Sequence, residues 1–330
     1  MAKVTIVDVA TASGVSAMTV SRVLNDKGGI RPETRARVEA AIEKLGYRPS
    51  KVARSLITNK TQTLGMVVPD IGNPFYPEIV AGAEEAAWQA GYSLMLCNTN
   101  ESPEREARVL EMLEGARADG VILASSRLAD DRLHPYLTQH SATVLINRYS
   151  TAPKVGTVRV DDAYGAMRAV HHLFAQGRKG IAFLAGPENS HSGQLRRQGF
   201  VSAFEMNARA VPQERIVACQ PLEQAGYRTA KALLSTHPAI DALICYNDLV
   251  AIGALYALRE LDRRVPEDVA VIGCDDIRLA SLTTPRLTTL GVDKRQLGEA
   301  AVSILLQLIN GKTVDRHLTV KPELIIRESA

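Results

Sequence analysis

The sequence predicts a three-helix head carrying a helix-turn-helix, a short hinge, and an α/β body of two parallel-sheet lobes. Three observations predict this. Residues 1–48 place apolar side chains at helical spacing, with Gly14 and Gly46 at the ends of candidate helices. A basic and polar stretch follows over residues 49–60. From Leu64 onward, short apolar runs alternate with amphipathic helical patterns, as in parallel sheets covered on both faces. That alternation is too long for one doubly wound sheet, so two similar lobes are expected.

In the head, Thr5 caps a first helix over Ile6–Ser13 and Ser16 caps a second. Gly14 accepts the tight corner between them cheaply, having no Cβ. Val9, Ala10, Val15, Val20 and Val23 supply a small core, which leaves Ala17, Met18, Ser21 and Arg22 on the outer face at helical spacing. This is the layout of a helix-turn-helix, whose second helix enters the DNA major groove. The bland alternative is a helical hairpin in any globular domain, with Arg22 a solvated charge. Pro32 suits the first turn of a third helix, Val38, Ala41, Ile42 and Leu45 form its apolar face, and Gly46 ends it. The segment 47–60 reads as a linker or as a short hinge helix over Ser50–Leu56. In the second case Arg54 faces phosphate and Leu56 wedges between base steps.

Composition narrows the function. The 330 residues are 46% apolar, enough for two or three packed units. Met1-Ala2-Lys3 leads straight into an amphipathic segment with no signal peptide, and no run approaches the roughly 18 apolar residues of a membrane span. Cys97, Cys219, Cys245 and Cys274 are solitary, with neither metal-ligand spacing nor a disulfide framework, which suits a reducing cytoplasm. Residues 1–60 hold 11 Lys/Arg against 5 Asp/Glu, whereas the remainder holds 28 against 31. A basic head on a mildly acidic body suggests a polyanion partner for the head alone.

Strands are expected over Leu64–Val68, Ser93–Cys97, Gly120–Leu123, Thr143–Ile146, Ile181–Ala185, Ala242–Cys245 and Val269–Ile272. Helices are expected over Glu78–Gln89, Glu104–Glu114, Tyr164–Ala175, Gly226–Leu234 and Leu249–Leu258. Ligands bind beyond the carboxyl ends of such strands. That rule selects Asp70–Tyr76, Asn98, Asn147–Arg148, Gly186–Arg196, Tyr246–Asp248 and Asp275–Asp276.

These motifs together resemble the lactose-repressor/galactose-repressor (LacI/GalR) family of bacterial transcription regulators. The resemblance is carried in the head by Asp8-Val9-Ala10, Gly14-Val15-Ser16, Thr19 to Asn25, Thr34-Arg35 and Leu45-Gly46-Tyr47-Arg48-Pro49. In the body it is carried by Asn73-Pro74-Phe75, Asp119-Gly120-Val121-Ile122, Arg196, Gly199-Phe200, Asn247-Asp248, Gly273-Cys274-Asp275-Asp276 and Pro285-Arg286-Leu287-Thr288-Thr289. The resemblance implies a homodimer, each chain with a head (1–48), a hinge helix (49–60) and an effector-binding, dimerising body (61–330). The body is then two Rossmann-like lobes, periplasmic-binding-protein-like, of residues 61–160 plus 291–322 and 161–290 plus 323–330. It further implies a cytoplasmic repressor, nucleoid-associated when bound to its operator. Tetrameric members carry a heptad tail beyond the last strand; this sequence ends at Ala330, so a dimer is expected.

At the DNA, Thr5, Ser16, Thr19, Ser21, Asn25, Thr34 and Tyr47 are groups that hold phosphates and set register. Base reading falls to Ala17, Met18 and Arg22, and Arg22 can fork onto guanine. Met18 packing into the head's own core is the alternative for that residue. Two heads related by a two-fold axis demand a pseudo-palindromic operator. Arg31 stands where relatives offer a capping Ser. In the cleft, Arg196, Asn247 and Asp275 are the candidates to clamp hydroxyls or a carboxylate. Asn147, Arg148 and Tyr246 follow other strands, and Phe75 or Tyr76 can pack on an apolar sugar face. Asp248 and Asp276 serve equally as caps or bridges, and His191 is placed in a Pro187–Gly193 loop. Relatives place a stacking aromatic near Gln220-Pro221-Leu222, and none is present here.

An enzyme is disfavoured. No Gly-rich phosphate loop or metal-spaced cluster appears, and the adjacent Asp161-Asp162 and Asp275-Asp276 pairs rarely face one substrate together. No metal and no cofactor are expected. A solute-binding protein explains the two lobes but not the basic head. The expected effector is a carbohydrate or sugar acid; a purine-type or other non-sugar corepressor is the alternative.

Overall fold

In a computed structural model of the protein, which describes residues 4–24, 28–48, 60–139, 142–211, 213–312 and 315–330, the first helix begins at a reciprocal cap. Thr5 Oγ1 accepts from the Asp8 amide at 3.4 Å, and the Thr5 amide donates to the Asp8 carboxylate at 2.8 Å. Those bonds define the start of α1 (Ile6–Ser13), and Gly14 ends it at φ +66°. Ser16 Oγ accepts from the Thr19 amide at 3.1 Å and so opens α2 (Ala17–Leu24). α3 (Pro32–Leu45) starts at Arg31 with no side-chain cap and stops at Gly46, φ +61°. Val9, Val20 and Val38 are fully buried between the three helices, with Ala10, Val23 and Ala41 beside them. The head lies within one compact unit, Met1–Thr61, and the body forms a second, Gln62–Ala330. The predicted hinge helix, with Arg54 and Leu56, lies outside the described residues, as does Asn25.

The first sheet of the body contains β1 (Thr63–Val68), β2 (Ser93–Asn98), β3 (Gly120–Ala124), β4 (Thr143–Ile146) and β5 (Val155–Val160). β11 (His317–Val320) joins its far edge, giving the all-parallel order β11-β5-β4-β3-β1-β2. Helices α4 (Phe75–Gln89), α5 (Pro103–Gly115) and α6 (Asp130–Gln139) connect these strands. The second sheet contains β6 (Ile181–Leu184), β7 (Ile216–Val217), β8 (Ala242–Cys245), β9 (Ala270–Asp275), β10 (Thr288–Gly291) and β12 (Glu323–Ile325). Its order is β12-β10-β9-β8-β6-β7, with only β12 antiparallel to its neighbour. α7 (Asp162–Ala175), α8 (His191–Met206), α9 (Glu223–Thr236) and α10 (Asp248–Glu260) cover it, and α11 (Lys294–Ile309) returns to the first sheet. The chain thus crosses between sheets three times, after Val160, after Gly291 and after Val320.

Strand alternation sorts the first lobe's core. Leu64, Met66 and Val68 of β1 point to α4 and α11, while Val67 points to α5 and α6. Leu249 and Ile277, from the second lobe, are buried in the same cluster as Phe75 and Tyr76 of the first, so the lobes share apolar surface. His191, expected in a loop, is the first residue of α8, because Ser190 caps the helix by accepting from the Gly193 amide at 3.1 Å. α6 holds Pro135 inside it. Among the described residues, no helix is long and apolar enough to cross a membrane.

α4 and α11 touch through glycine. A Cβ at Gly298 would stand 2.1 Å from the Ile79 carbonyl oxygen, and one at Gly82 would stand 2.1 Å from that of Arg295. Gly298→Ala must therefore push the helices apart. A loss of about 1–3 kcal/mol is expected, typical of overpacking, read as a lower denaturant midpoint. An unchanged midpoint would contradict this packing.

Candidate functional site

Two groups of side chains stand out, one on the head and one in the body. On α2, Met18 is 71% exposed and Arg22 lies one turn further on the same face, also exposed. Met18 therefore does not serve the head's core, which removes the packing alternative for it. Ala17, Thr19 and Ser21 flank this face partly buried, and Thr19 Oγ1 is 3.0 Å from Ser16 Oγ. Thr5 is exposed with its hydroxyl donating to Asp8 at 2.7 Å, so its cap and its outward position coexist. Thr34 is partly buried, and Tyr47 packs against the head's core while remaining partly exposed. A short helix end with an apolar Met and an exposed Arg on one side can read base edges and phosphates.

In the body, the second group gathers at the carboxyl ends of β8 and β9. Arg196, on α8, is buried. Its Nε donates to Asp162 at 2.8 Å, its Nη1 donates to the Tyr246 carbonyl, and its Nη2 lies 3.8 Å from Asp275. The guanidinium also sits over the Tyr246 ring at 5.2 Å. Burial opposes the charge, and the carboxylates of Asp162 and Asp275 outweigh it and keep the guanidinium protonated. Burial likewise pushes the Asp275 carboxyl up to about 7, against the pull of Arg196. Asp248 is buried too, and desolvation raises its carboxyl well above the usual range. It accepts from Thr289 Oγ1 at 2.5 Å and from the Ile277 amide at 2.8 Å, so it braces β10 and the segment after β9.

The remaining candidates are divided. Phe75 lines a crevice of about 10 Å³ with Arg196, Asp275, Asp162 and Cys274. Tyr76 is buried edge-on against Phe75 at 5.3 Å. Arg148 lines a separate cleft of about 260 Å³ with Ser126, Arg127, Asp130, His191 and Gln194, from both lobes. It donates to Ser126 Oγ at 3.1 Å and to Asp130 at 2.5 Å. Asn247 is almost fully buried with both ends engaged: Oδ1 caps α10 through the Val250 amide, and Nδ2 donates to the Pro221 carbonyl at 3.2 Å. Asn147 faces the Val160 amide at 3.4 Å and takes no part in lining either space. The Tyr246 hydroxyl is 2.8 Å from Ser190 Oγ.

Two further residues belong here. Arg127 is buried, donates to Glu101 at 3.1 Å through Nη2, and lines the larger cleft. It follows β3, so the rule about strand ends selects it when applied to that strand. Ser192 lies one turn before Arg196 on α8, buried, and its hydroxyl has no hydrogen-bond partner among the described residues. Among those residues no three His, Cys, Asp or Glu side chains gather to hold a metal ion.

Comparison with known proteins is consistent across sequence and structure. Residues 5–50 match the family described as bacterial regulatory proteins, lacI family. Residues 61–328 match periplasmic binding proteins and sugar binding domain of LacI family. The chain is 37% identical to the HTH-type transcriptional repressor PurR of Haemophilus influenzae (strain PittEE), over 98% of each chain. It is 35% identical to the ribose operon repressor of Escherichia coli (strain K12), over 99% of each. The lac repressor dimer bound to operator and the anti-inducer ONPF superimposes with a TM-score of 0.90 at 29% identity, over 99% of each chain.

The Asp275 carboxyl keeps its proton in the folded chain up to about pH 7 but in the unfolded chain only to about 3.9. The folded state thus binds more protons between these values, and stability falls as pH rises through that window. Urea midpoints at pH 5 and pH 8 should show the wild type losing ground relative to Asp275→Asn. A constant difference between the two proteins contradicts the shift.

Proposed function

We propose, from the premise that this chain belongs to the LacI family of bacterial regulatory proteins, that it represses transcription as an effector-switched homodimer on a pseudo-palindromic operator. The family consists of DNA-binding transcription regulators and not enzymes. The observation that carries the DNA-binding reading is the exposed Met18–Arg22 face on a capped second helix. Ser16, Thr19, Ser21, Asn25, Thr34, Tyr47 and Arg54 hold phosphate in this reading, and Leu56 wedges between base steps. The dimer is supported by the similarity to the lac repressor dimer. It is also supported by exposed Tyr256, Leu279 and Leu282 near a groove of about 450 Å³ on the second lobe.

The effector site is the space between the lobes. Arg196 and Asp275 offer donors and acceptors suited to hydroxyls, and Arg148, Arg127 and His191 offer them at the larger cleft. The crevice at Arg196 and Asp275 holds only about 10 Å³, so a sugar-sized molecule reaches both only when the lobes move apart. That movement is the switch: it alters the spacing of the two hinges in the dimer, and folded, paired hinges hold the heads on the operator. A carbohydrate or sugar acid is the favoured class, because Arg196 and Asp275 supply the charged donor and acceptor that suit a polyol. A purine-type corepressor is the second reading, supported by the 37% identity to the repressor PurR.

Selection of the purified protein against random duplexes at fixed salt tests this, with D-ribose, cellobiose, D-gluconate and hypoxanthine added in turn. One pseudo-palindrome should be enriched, and one compound should weaken or strengthen that enrichment. Arg22→Ala should cost about 1–3 kcal/mol on the selected site and relax preference at one base pair per half-site. If no palindrome emerges under any condition, the head does not read DNA and a solute-binding role leads.

A further inference from the structure

The first lobe reaches into the second through one buried lysine. Lys294 is the first residue of α11, and only 5% of its surface is exposed. Its Nζ donates to the Asp275 carbonyl at 3.0 Å and to the Asp276 carbonyl at 2.8 Å, both at the end of β9 in the second lobe. The Glu78 carboxylate on α4, in the first lobe, stands 3.7 Å away. An ammonium has three N–H donors and no acceptor, and here three oxygens surround it.

Both carbonyls belong to residues with unusual backbone. Asp275 has φ +112° and Asp276 φ +49°, a region that L side chains adopt only when their surroundings hold them there. From the second lobe, Asp276 is held by Arg327 Nη2 at 2.7 Å and by Thr289 Oγ1, which accepts its amide at 3.3 Å. From the first lobe, Lys294 holds the same two peptides. The base of that arm is stiff, because the first turn of α11 lies against Gly82 of α4, with no room there for a Cβ.

We infer that Lys294 is a positioning residue: from the first lobe it fixes the Asp275–Asp276 backbone, and thereby aims the Asp275 carboxylate at Arg196. This rests on the reading of Asp275 as an effector contact. When the lobes part, the two carbonyls lose their ammonium and the Asp275 segment is released. Lobe position and the shape of the effector site are therefore linked through one side chain.

Amide hydrogen exchange of the full chain tests this without any effector, in the wild type, Lys294→Met, Lys294→Arg and Glu78→Gln. Lys294→Met, similar in length but without donors, should exchange about tenfold faster over residues 275–277 while β6 keeps its protection. Lys294→Arg should restore protection to within about threefold of the wild type, and Glu78→Gln should give a smaller rise over the same residues. Unchanged exchange at 275–277 in both Lys294→Met and Glu78→Gln overturns the inference. So does a loss of protection spread evenly over the body, which marks a general packing role. Should Lys294→Met not fold, Lys294→Arg and Glu78→Gln still decide it. Failure of the effector reading looks different: Asp275→Asn then binds each of the four compounds as the wild type does, while 275–277 still depend on Lys294.

Discussion

A guanidinium that is sealed from water must be answered by charge and hydrogen bonds, or the fold cannot keep it. Arg196 imposes that demand on the whole second lobe. Its partners come from the start of α7, the end of β8 and the end of β9. Desolvating such a charge costs on the order of several kcal/mol, and removing one buried partner costs about as much again. Two carboxylates beside one cation leave Asp275 only partly committed, which is why burial can lift its pKa so far. A buried centre with one undercommitted carboxylate has an acceptor to offer a hydroxyl group. It is also costly to leave half-assembled, and that favours two discrete arrangements over a continuum.

The closed lobes follow from the same chemistry. Leu249 and Ile277 bury themselves in the first lobe's core, and Lys294 gives its donors to the second lobe's backbone. Apolar contact supplies attraction without direction; the lysine supplies direction. A molecule between the lobes must compete with both, and this gives it the differential affinity for two states that any switch requires. The head carries the DNA-binding face. Its core, six buried apolar residues among those described, is small, so its recognition face depends on caps such as Thr5–Asp8 and Ser16–Thr19.

The head was the most legible part of the chain, because caps and glycine stops act over three or four residues. Gly14 and Gly46 are left-handed as their positions require. β1–β4, β6, β8 and β9 were legible as apolar runs, the edge strand β2 among them. β5 and β10 were not, although both lie inside their sheets, because Gly156, Thr157 and Arg159 interrupt one and Thr288, Thr289 and Gly291 make up most of the other; β7 is two residues long and partly exposed, and β11 has two exposed residues of four. α8 was hidden by Gly193 and Gly199, which lower helical propensity, although Ser190 carries the capping signal. In the site, strand ends pointed to Arg196 and Asp275, but the Arg196–Asp162 bond joins residues 34 positions apart, which no local pattern encodes. Asn247 shows the converse. Its position after β8 reads as a ligand site, yet an Asn before a helix is equally a cap, and here the cap occupies its oxygen. Lys294 carried no sequence signal at all, since its partners are backbone carbonyls.

In the proposed switch, the space around Arg196 and the DNA face of the head are ends of one equilibrium. Linkage requires that a compound and an operator change each other's affinity by the same factor. The most direct measurement is that pair of factors. Operator affinity is titrated with and without a saturating compound, and compound affinity with and without saturating operator, in one buffer at one salt concentration. Equal factors of about fivefold or more, in either direction and abolished by Asp275→Asn, are the expected result. A compound that binds in the cleft and leaves operator affinity unchanged would contradict the coupling outright.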